Sequence, residues 1–307
     1  MRRTKKNRFF HEYFKEWVEL YKVGAVRSVT LQKYIISQQK ILELAPFLTL
    51  AELDRKAYQK LLNDYARTHE RQTTMDFHHQ IKGAVLDAYD EGVILKDPTR
   101  KVVIKGKEPA PKKSQFLNQY ELKLLLNQLS LKDKISFDWL LLLTAKTGIR
   151  FSEALGITPD DFDFSKQTLS INKTWNYKDE IGGFQPTKNT SSNRKVQLDW
   201  QTAMQFSELT KKHDAVEPIF VKGRVFNSTI NNSLANYCKK AGVPVISIHG
   251  LRHTHASILL FGGVSIASVA RRLGHSTMTT TQQTYLHIIH ELENQDNDKI
   301  MRQLSIL

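Results

Sequence analysis

The chain has 307 residues, 40% of them hydrophobic, with 45 Lys and Arg against 31 Asp and Glu, a formal net charge of +14 and a pI of about 9.6. That apolar fraction excludes a disordered chain. The longest apolar run, Trp139 to Leu143, is far too short for a membrane helix, and the single cysteine, Cys238, excludes an internal disulfide or a multi-cysteine zinc site. The charge calls for an acidic partner, with nucleic acid ahead of anionic lipid and no membrane. The length suits two domains, the cysteine usage suits a reducing cytoplasm, and the basic start Arg2 to Arg8 leads into no apolar signal segment.

The charge is uneven: residues 1–113 hold 23 Lys and Arg against 14 Asp and Glu, whereas residues 114–307 hold 22 against 17. Helical periodicity fills the first part. Phe9, Phe10, Tyr13, Phe14, Trp17, Leu20 and Tyr21 make one apolar stripe that Gly24 ends. Thr30 can cap a second helix bearing Leu31, Tyr34, Ile35, Gln38, Ile41 and Leu42, which stops before Pro46. Thr49 and Glu52 form a capping box for a third, with Leu53, Tyr58, Leu61, Leu62 and Tyr65. Thr73 can cap a fourth through Phe77, Ile81, Val85, Leu86 and Tyr89, ended by Gly92. Four short helices predict a small bundle whose aromatics are core.

Asp97-Pro98 stops the last of these helices, and the stretch to Lys113 then reads as an extended basic linker broken by Gly106, Pro109 and Pro111. If the protein encircles its partner, Lys101, Lys105, Lys107, Lys112 and Lys113 form the strap; otherwise the segment is an exposed tether. Asn118 with Glu121 makes another capping box, and a strongly apolar helix runs from Ile135 to Thr147. Thr168 to Lys173, Phe184 to Thr187 and Arg194 to Leu198 predict a three-stranded meander turned at Gly182-Gly183 and at Asn189 to Asn193. Helices resume to the end. The fold class is mostly α with a small antiparallel sheet, an α+β chain.

No P-loop, G-x-S-x-G elbow or H-E-x-x-H zinc motif is present. Asp160, Asp161 and Asp163 follow Pro159 and read as a loop and helix cap, so no metal ligand and no cofactor is assigned. The basic and polar residues carry more. Arg150 follows a helix-ending Gly148 in T-G-I-R-F-S-E, with Glu153 one turn on; I-H-G-L-R-H holds His249 and Arg252; L-G-H ends in His275; and T-T-T-Q-Q-T-Y ends in Tyr285. Two arginines can grip the non-bridging oxygens of a phosphodiester bidentately. Histidines add donors or a proton acceptor, and a tyrosine hydroxyl becomes a nucleophile only beside such positive charge.

Taken in order, these motifs resemble the tyrosine recombinase (phage integrase) family, whose members carry T-G-x-R-x-x-E, a lysine in a β-hairpin, H-x-L-R-H, L-G-H and a tyrosine shortly after. The hairpin lysine best matches Lys188 in Q-P-T-K-N-T-S-S-N-R-K-V, with Lys178 and Lys195 as nearby rivals. The resemblance covers the second part and, more weakly, the first. It implies a helical core-binding (SAM-like) domain over residues 1–100, a basic linker over 101–113 and a catalytic domain over 114–307 with a C-terminal tail. It further implies that Tyr285 attacks a scissile DNA phosphate to leave a 3′-phosphotyrosine and a 5′-hydroxyl. Arg150, Arg252, His249 and His275 would neutralise the phosphate, Lys188 would protonate the leaving oxygen, and Glu153 would orient Arg150. His253 and His255, next to the motif, fit packing or capping. Because the phosphotyrosine conserves the bond energy, neither metal nor ATP is implied.

The same resemblance implies duplex attachment sites as partners, a homotetramer acting through a four-way junction, and room for an excisionase or host DNA-bending protein. It suits a bacterial, nucleoid-associated setting. Many integrases carry an N-terminal arm-binding domain; here the helical pattern begins by Phe9, after a short basic stub. The stretch after Tyr285 is mostly helix-compatible and in the family docks on a neighbouring protomer, the alternative being a helix packed on its own domain. Two rival functions share the motifs: a type IB topoisomerase-like relaxing enzyme, and a non-catalytic DNA-binding regulator of the same fold.

Overall fold

The structure, a computed structural model, describes residues 7–109, 116–285, 301, 304 and 305. The stub before residue 7 and the stretch 286–300 lie outside the described residues, and with them most of the expected C-terminal tail. The chain divides into two compact units, Met1–Lys112 and Lys113–Leu307.

The first unit is a four-helix bundle of α1 (Phe10–Tyr21), α2 (Ser28–Leu44), α3 (Arg55–Ala66) and α4 (Arg71–Asp90). Its core gathers Phe10, Phe14, Trp17, Ile41, Tyr58, Leu61, Leu62, Phe77, Ile81 and Val85, so the aromatic stripes are core as expected. Other members of the stripes are not: Leu20, Tyr21, Ile35, Leu42 and Tyr89 stand exposed. Three helix starts also differ. The Thr49–Glu52 box exists, with Glu52 accepting from the Thr49 amide, but it closes a turn; the side chain that caps α3 is Asp54, accepting from the Ala57 amide at 2.8 Å. Helices α2 and α4 begin ahead of Thr30 and Thr73, with Arg27 and Glu70 at their N-caps and no side-chain cap.

Residues 101–107 are no free tether. Val102 and Ile104 pack on the bundle core, Gln59 brackets Val103 with two 2.8 Å bonds, and the Lys107 amide donates to the His69 carbonyl. A Cβ on Gly106 would lie 2.1 Å from the Arg71 nitrogen, so this approach requires glycine. The alternation of small apolar and lysine residues, read as a linker, instead lays an apolar edge on α3 and α4 and leaves Lys101, Lys105 and Lys107 exposed. Lys112 and Lys113 lie outside the described residues.

The second unit is built around α6 (Phe137–Thr147), whose run Trp139 to Leu143 is buried on every side. Helix α5 (Gln119–Leu126) starts at the expected capping box, with Asn118 accepting from the Glu121 amide at 2.9 Å and Glu121 accepting from the Asn118 amide at 2.8 Å. After α6 come α7 (Phe151–Leu155), then β1 (Phe162–Asp163), β2 (Thr168–Ile171), β3 (Lys173–Trp175), β4 (Phe184–Pro186) and β5 (Arg194–Gln197). Helices α8 (Trp200–Thr210), α9 (Asn227–Ala241), α10 (Ile248–Phe261), α11 (Ile266–Leu273) and α12 (Met278–Thr284) follow, with α10 packed against α6.

The strands are all antiparallel, but they do not make one meander. The expected first strand splits at Asn172: β2 lies between β1 and β5, with Leu169 opposite Phe162 and Val196, while β3 pairs with β4 in a separate hairpin. Leu169, Ile171 and Val196 face the core, whereas β4 is exposed throughout and carries Pro186, which suits an edge and not a central position.

Candidate active site

Arg150 is delivered by the end of α6. Gly148 adopts a left-handed conformation (φ +67°), which stops the helix and turns Arg150 into the N-cap of α7. Glu153, 1% exposed, receives it: Oε1 accepts from Arg150 Nη1 at 2.7 Å and Oε2 from the Arg150 amide at 2.9 Å. The same carboxylate accepts from Arg194 Nη2 of β5 at 2.9 Å. Burial works against its charge, but Arg194 and Arg150 outweigh it and hold the carboxyl below its ordinary value.

Arg252 comes from the first turns of α10 and is 3% exposed. Its Nη1 donates to the Gly148 carbonyl and its Nη2 to the Leu273 carbonyl, both at 2.7 Å. Burial first, then the Arg150 charge, pull its pKa down to about 9, so it stays cationic at neutral pH. Arg150 Nη2 donates to the Gly274 carbonyl at 3.0 Å. Both guanidiniums therefore hang on successive carbonyls of the turn that ends α11, one residue before His275. Gly274 is left-handed (φ +68°), and a Cβ there would meet Arg194 Nη1 at 2.8 Å. His275 contacts Thr281 Oγ1 through Nδ1 at 2.7 Å; burial and the charges of Arg252, Arg150 and Arg194 push its pKa down to about 4.

Tyr285 follows α12 and is 2% exposed, its ring packed among Ala256, Leu260, Val269 and Leu273. Burial pushes its hydroxyl up to about 12, with Arg252 pulling the other way. His249, a turn before His253 on α10, keeps surface access, while desolvation and then Arg252 and Arg150 favour its neutral form. The structure thus brings Arg150, backed by Glu153, and Arg252 to the turn that precedes His275, while His249 shares α10 with Arg252 and Tyr285 meets that helix at His253. Lys188 is exposed in the loop between β4 and β5. That loop is pinned by Thr187 to Asn193 at 2.7 Å and by Ser192 to Asn189 at 2.5 Å, and Ser192 meets Arg150 Nη1 at 3.4 Å. The rivals Lys178 and Lys195 are exposed in the β3–β4 turn and on β5. Asp161 is committed to Lys173 and to the Thr158 amide, and no metal-binding cluster occurs among the described residues.

Three residues of this site escaped the sequence reading. His253, read as packing or capping, places Nδ1 3.0 Å from the Tyr285 hydroxyl. Arg194 looked like any strand cation, yet its side chain is 6% exposed and ion-paired to Glu153. Arg272 donates through Nε to His255 Nε2 at 2.8 Å, and His255 Nδ1 in turn donates to the Ala145 carbonyl. Only His253 carried a signal, its adjacency to Arg252; the long-range bonds of Arg194 and Arg272 have none.

The chain belongs to the phage integrase family of tyrosine recombinases, whose profile matches residues 115–291. An integrase of Staphylococcus phage L54a is 24% identical over 95% of this chain and 92% of its own length. A tyrosine recombinase XerC-like protein of Caldanaerobacter subterraneus subsp. tengcongensis is 27% identical over 88% of this chain and 70% of its own. The fold is shared with the Tn1549 transposon integrase in complex with a circular intermediate DNA, at a TM-score of 0.71, 16% identity and coverage of 90% and 94%. It is shared also with a lambda integrase dimer bound to a core site, at 0.65, 14% identity and coverage of 89% and 76%.

Proposed function

We propose that this chain is a site-specific DNA recombinase that cuts and rejoins duplex DNA through Tyr285, integrating or excising a phage or mobile element. The observation that carries the site assignment is the pair of guanidiniums, Arg150 and Arg252, fixed on the carbonyls of Gly274 and Leu273 beside His275. Guanidiniums held in advance lose little entropy on gripping a phosphate, and stabilise the charge that grows on its oxygens. Tyr285 Oη bonds to phosphorus and the bond to the 5′ oxygen breaks. Lys188, on the loop pinned near Arg150, protonates that oxygen. The ester to tyrosine keeps the energy for rejoining, so the reaction calls for neither metal nor nucleotide.

The lysines along residues 101–107 supply a sequence-independent, salt-sensitive hold on the backbone. Strand exchange takes place in a homotetramer on paired attachment sites in the bacterial cytoplasm, with an excisionase or host DNA-bending protein as accessory partners. Among the described residues no helix is long and apolar enough to cross a membrane.

The test is a nicked duplex, tiled across the DNA flanking the gene, that traps a covalent adduct. An adduct lost in Tyr285→Phe supports the reading; none on any duplex leaves a DNA-binding regulator. Relaxation of supercoils without recombinant products would instead mark a topoisomerase.

A further inference from the structure

The reaction as written leaves one proton unplaced, that of the Tyr285 hydroxyl. Buried at 2% exposure, this phenol does not ionise unaided near neutrality, because its pKa is pushed up to about 12. At pH 7 that leaves only ~10⁻⁵ of it as phenolate. A base has to sit within hydrogen-bond reach of the oxygen. Among the described residues the hydroxyl has one hydrogen-bond partner, His253 Nδ1 at 3.0 Å, with the two rings edge to face at 5.7 Å.

His253 is built into the site. It follows Arg252 directly on α10, and its ring meets that of His249, one turn earlier, at 4.8 Å and 90°. Burial, then His249 and Arg252, lower its pKa to about 4, so it is neutral in the resting protein. A neutral imidazole with its hydrogen on Nε2 presents a bare lone pair at Nδ1, which is where the phenol points. A bound phosphodiester brings negative charge beside the same helix turn, and an opposite charge at close range raises the basicity of an imidazole. The base thus strengthens when substrate arrives.

We propose that His253 is the proton acceptor for Tyr285. As the tyrosine oxygen bonds to phosphorus, its proton passes to His253 Nδ1, the bond from phosphorus to the 5′ oxygen breaks, and that oxygen takes a proton from Lys188. In rejoining, the 5′ hydroxyl gives its proton back to Lys188 and His253 returns its own to the leaving tyrosine. This assignment rests on Tyr285 being the nucleophile.

The experiment measures single-turnover adduct formation on the tiled, nicked duplexes. His253→Asn keeps an acceptor oxygen in the position of Nδ1 but has no useful basicity. It should slow adduct formation by about 100-fold or more while gel-shift binding of the same duplex persists. Fluorotyrosine at position 285, a more acidic phenol, should restore most of that loss. A 5′-bridging phosphorothiolate, whose sulfur leaves without a proton, should rescue Lys188→Ala but not His253→Asn. Cleavage by His253→Asn within about threefold of the parent rate, or its rescue by the phosphorothiolate, overturns the proposal. In the unaltered chain, nitrogen NMR should find the imidazole proton on Nε2; a proton on Nδ1 overturns it whatever the variants do. If the parent forms no adduct, or Tyr285→Phe still does, the nucleophile assignment itself falls, and that is seen before His253 is changed.

Discussion

Glu153 grips Arg150 at two points, accepting from its Nη1 at 2.7 Å and from its backbone amide at 2.9 Å, so a single carboxylate fixes both the side chain and the helix start that carries it. Arg194 closes the arrangement from β5.

Replacing this carboxylate is therefore expected to cost stability as well as activity. Glu153→Gln keeps the shape but leaves two guanidiniums without a counter-charge, a loss of about 3–5 kcal/mol when one partner of a buried pair is removed. Urea unfolding at pH 7 measures it, and a loss under about 1 kcal/mol counts against the pairing. The sign with pH follows from the lowered carboxyl. Its contribution is complete above the ordinary value of 4.5 and fades as pH falls through the lower, folded value, so parent and variant converge in acid.

Arg252 spans two carbonyls, Gly148 and Leu273, with separate nitrogens. A lysine has one ammonium and cannot span them while also meeting a phosphate. On the proposed function, Arg252→Lys should lower adduct formation by about 100-fold or more with duplex binding retained. Adduct formation at the parent rate would remove Arg252 from the chemistry.

His255 is predicted to make the fold acid-sensitive. Its Nδ1 faces the Ala145 carbonyl and must carry the proton, so its Nε2 accepts from Arg272, and a second proton would set N–H against N–H. Burial, then Arg272, push its pKa down to about 3. The unfolded chain takes up the proton first, near pH 6.5, so the contribution is full above that value and declines as pH falls toward 3. The slope is at most about 1.4 kcal/mol per pH unit. His255→Gln should flatten unfolding free energy against pH between those limits; an unchanged slope rejects this account.

Two glycines separate backbone strain from crowding. Gly148 and Gly242 have nearly equal φ, +67° and +68°, but a Cβ on Gly148 would lie 2.7 Å from His255 Cδ2 and 2.9 Å from Leu273, whereas Gly242 faces open space. Gly242→Ala should cost only the left-handed strain, about 1–2 kcal/mol. Gly148→Ala should cost clearly more, by chemical denaturation, and equal losses would show that the neighbours yield.

Sequence carried local features well and distant ones poorly. The Asn118–Glu121 box, the helix-ending Gly148 and the buried run Trp139 to Leu143 were all legible, because each depends on neighbours within a few residues. The Thr49–Glu52 box was legible as a motif but misplaced, since the same pair of bonds can close a turn and leave Asp54 to start the helix. Strand partners were lost at Asn172, where no local pattern says which half pairs with β5 and which with β4. In the site, Arg150, His249, Arg252, His275 and Tyr285 stood out by motif. Arg194 and His253 did not, because what distinguishes them is a partner 41 or 32 residues away.

The span of the arginine bonds has a consequence for assembly of the site. Arg150 reaches a carbonyl 124 residues further along the chain, and Arg252 reaches one 104 residues back. Bonds of that span close late, after the entropy of the intervening loops has been lost. On the proposed function, a chain in which these bonds are still open carries its full charge but no assembled grip on a phosphate. Under that reading, the phosphate grip is complete only once residues more than a hundred positions apart have come together.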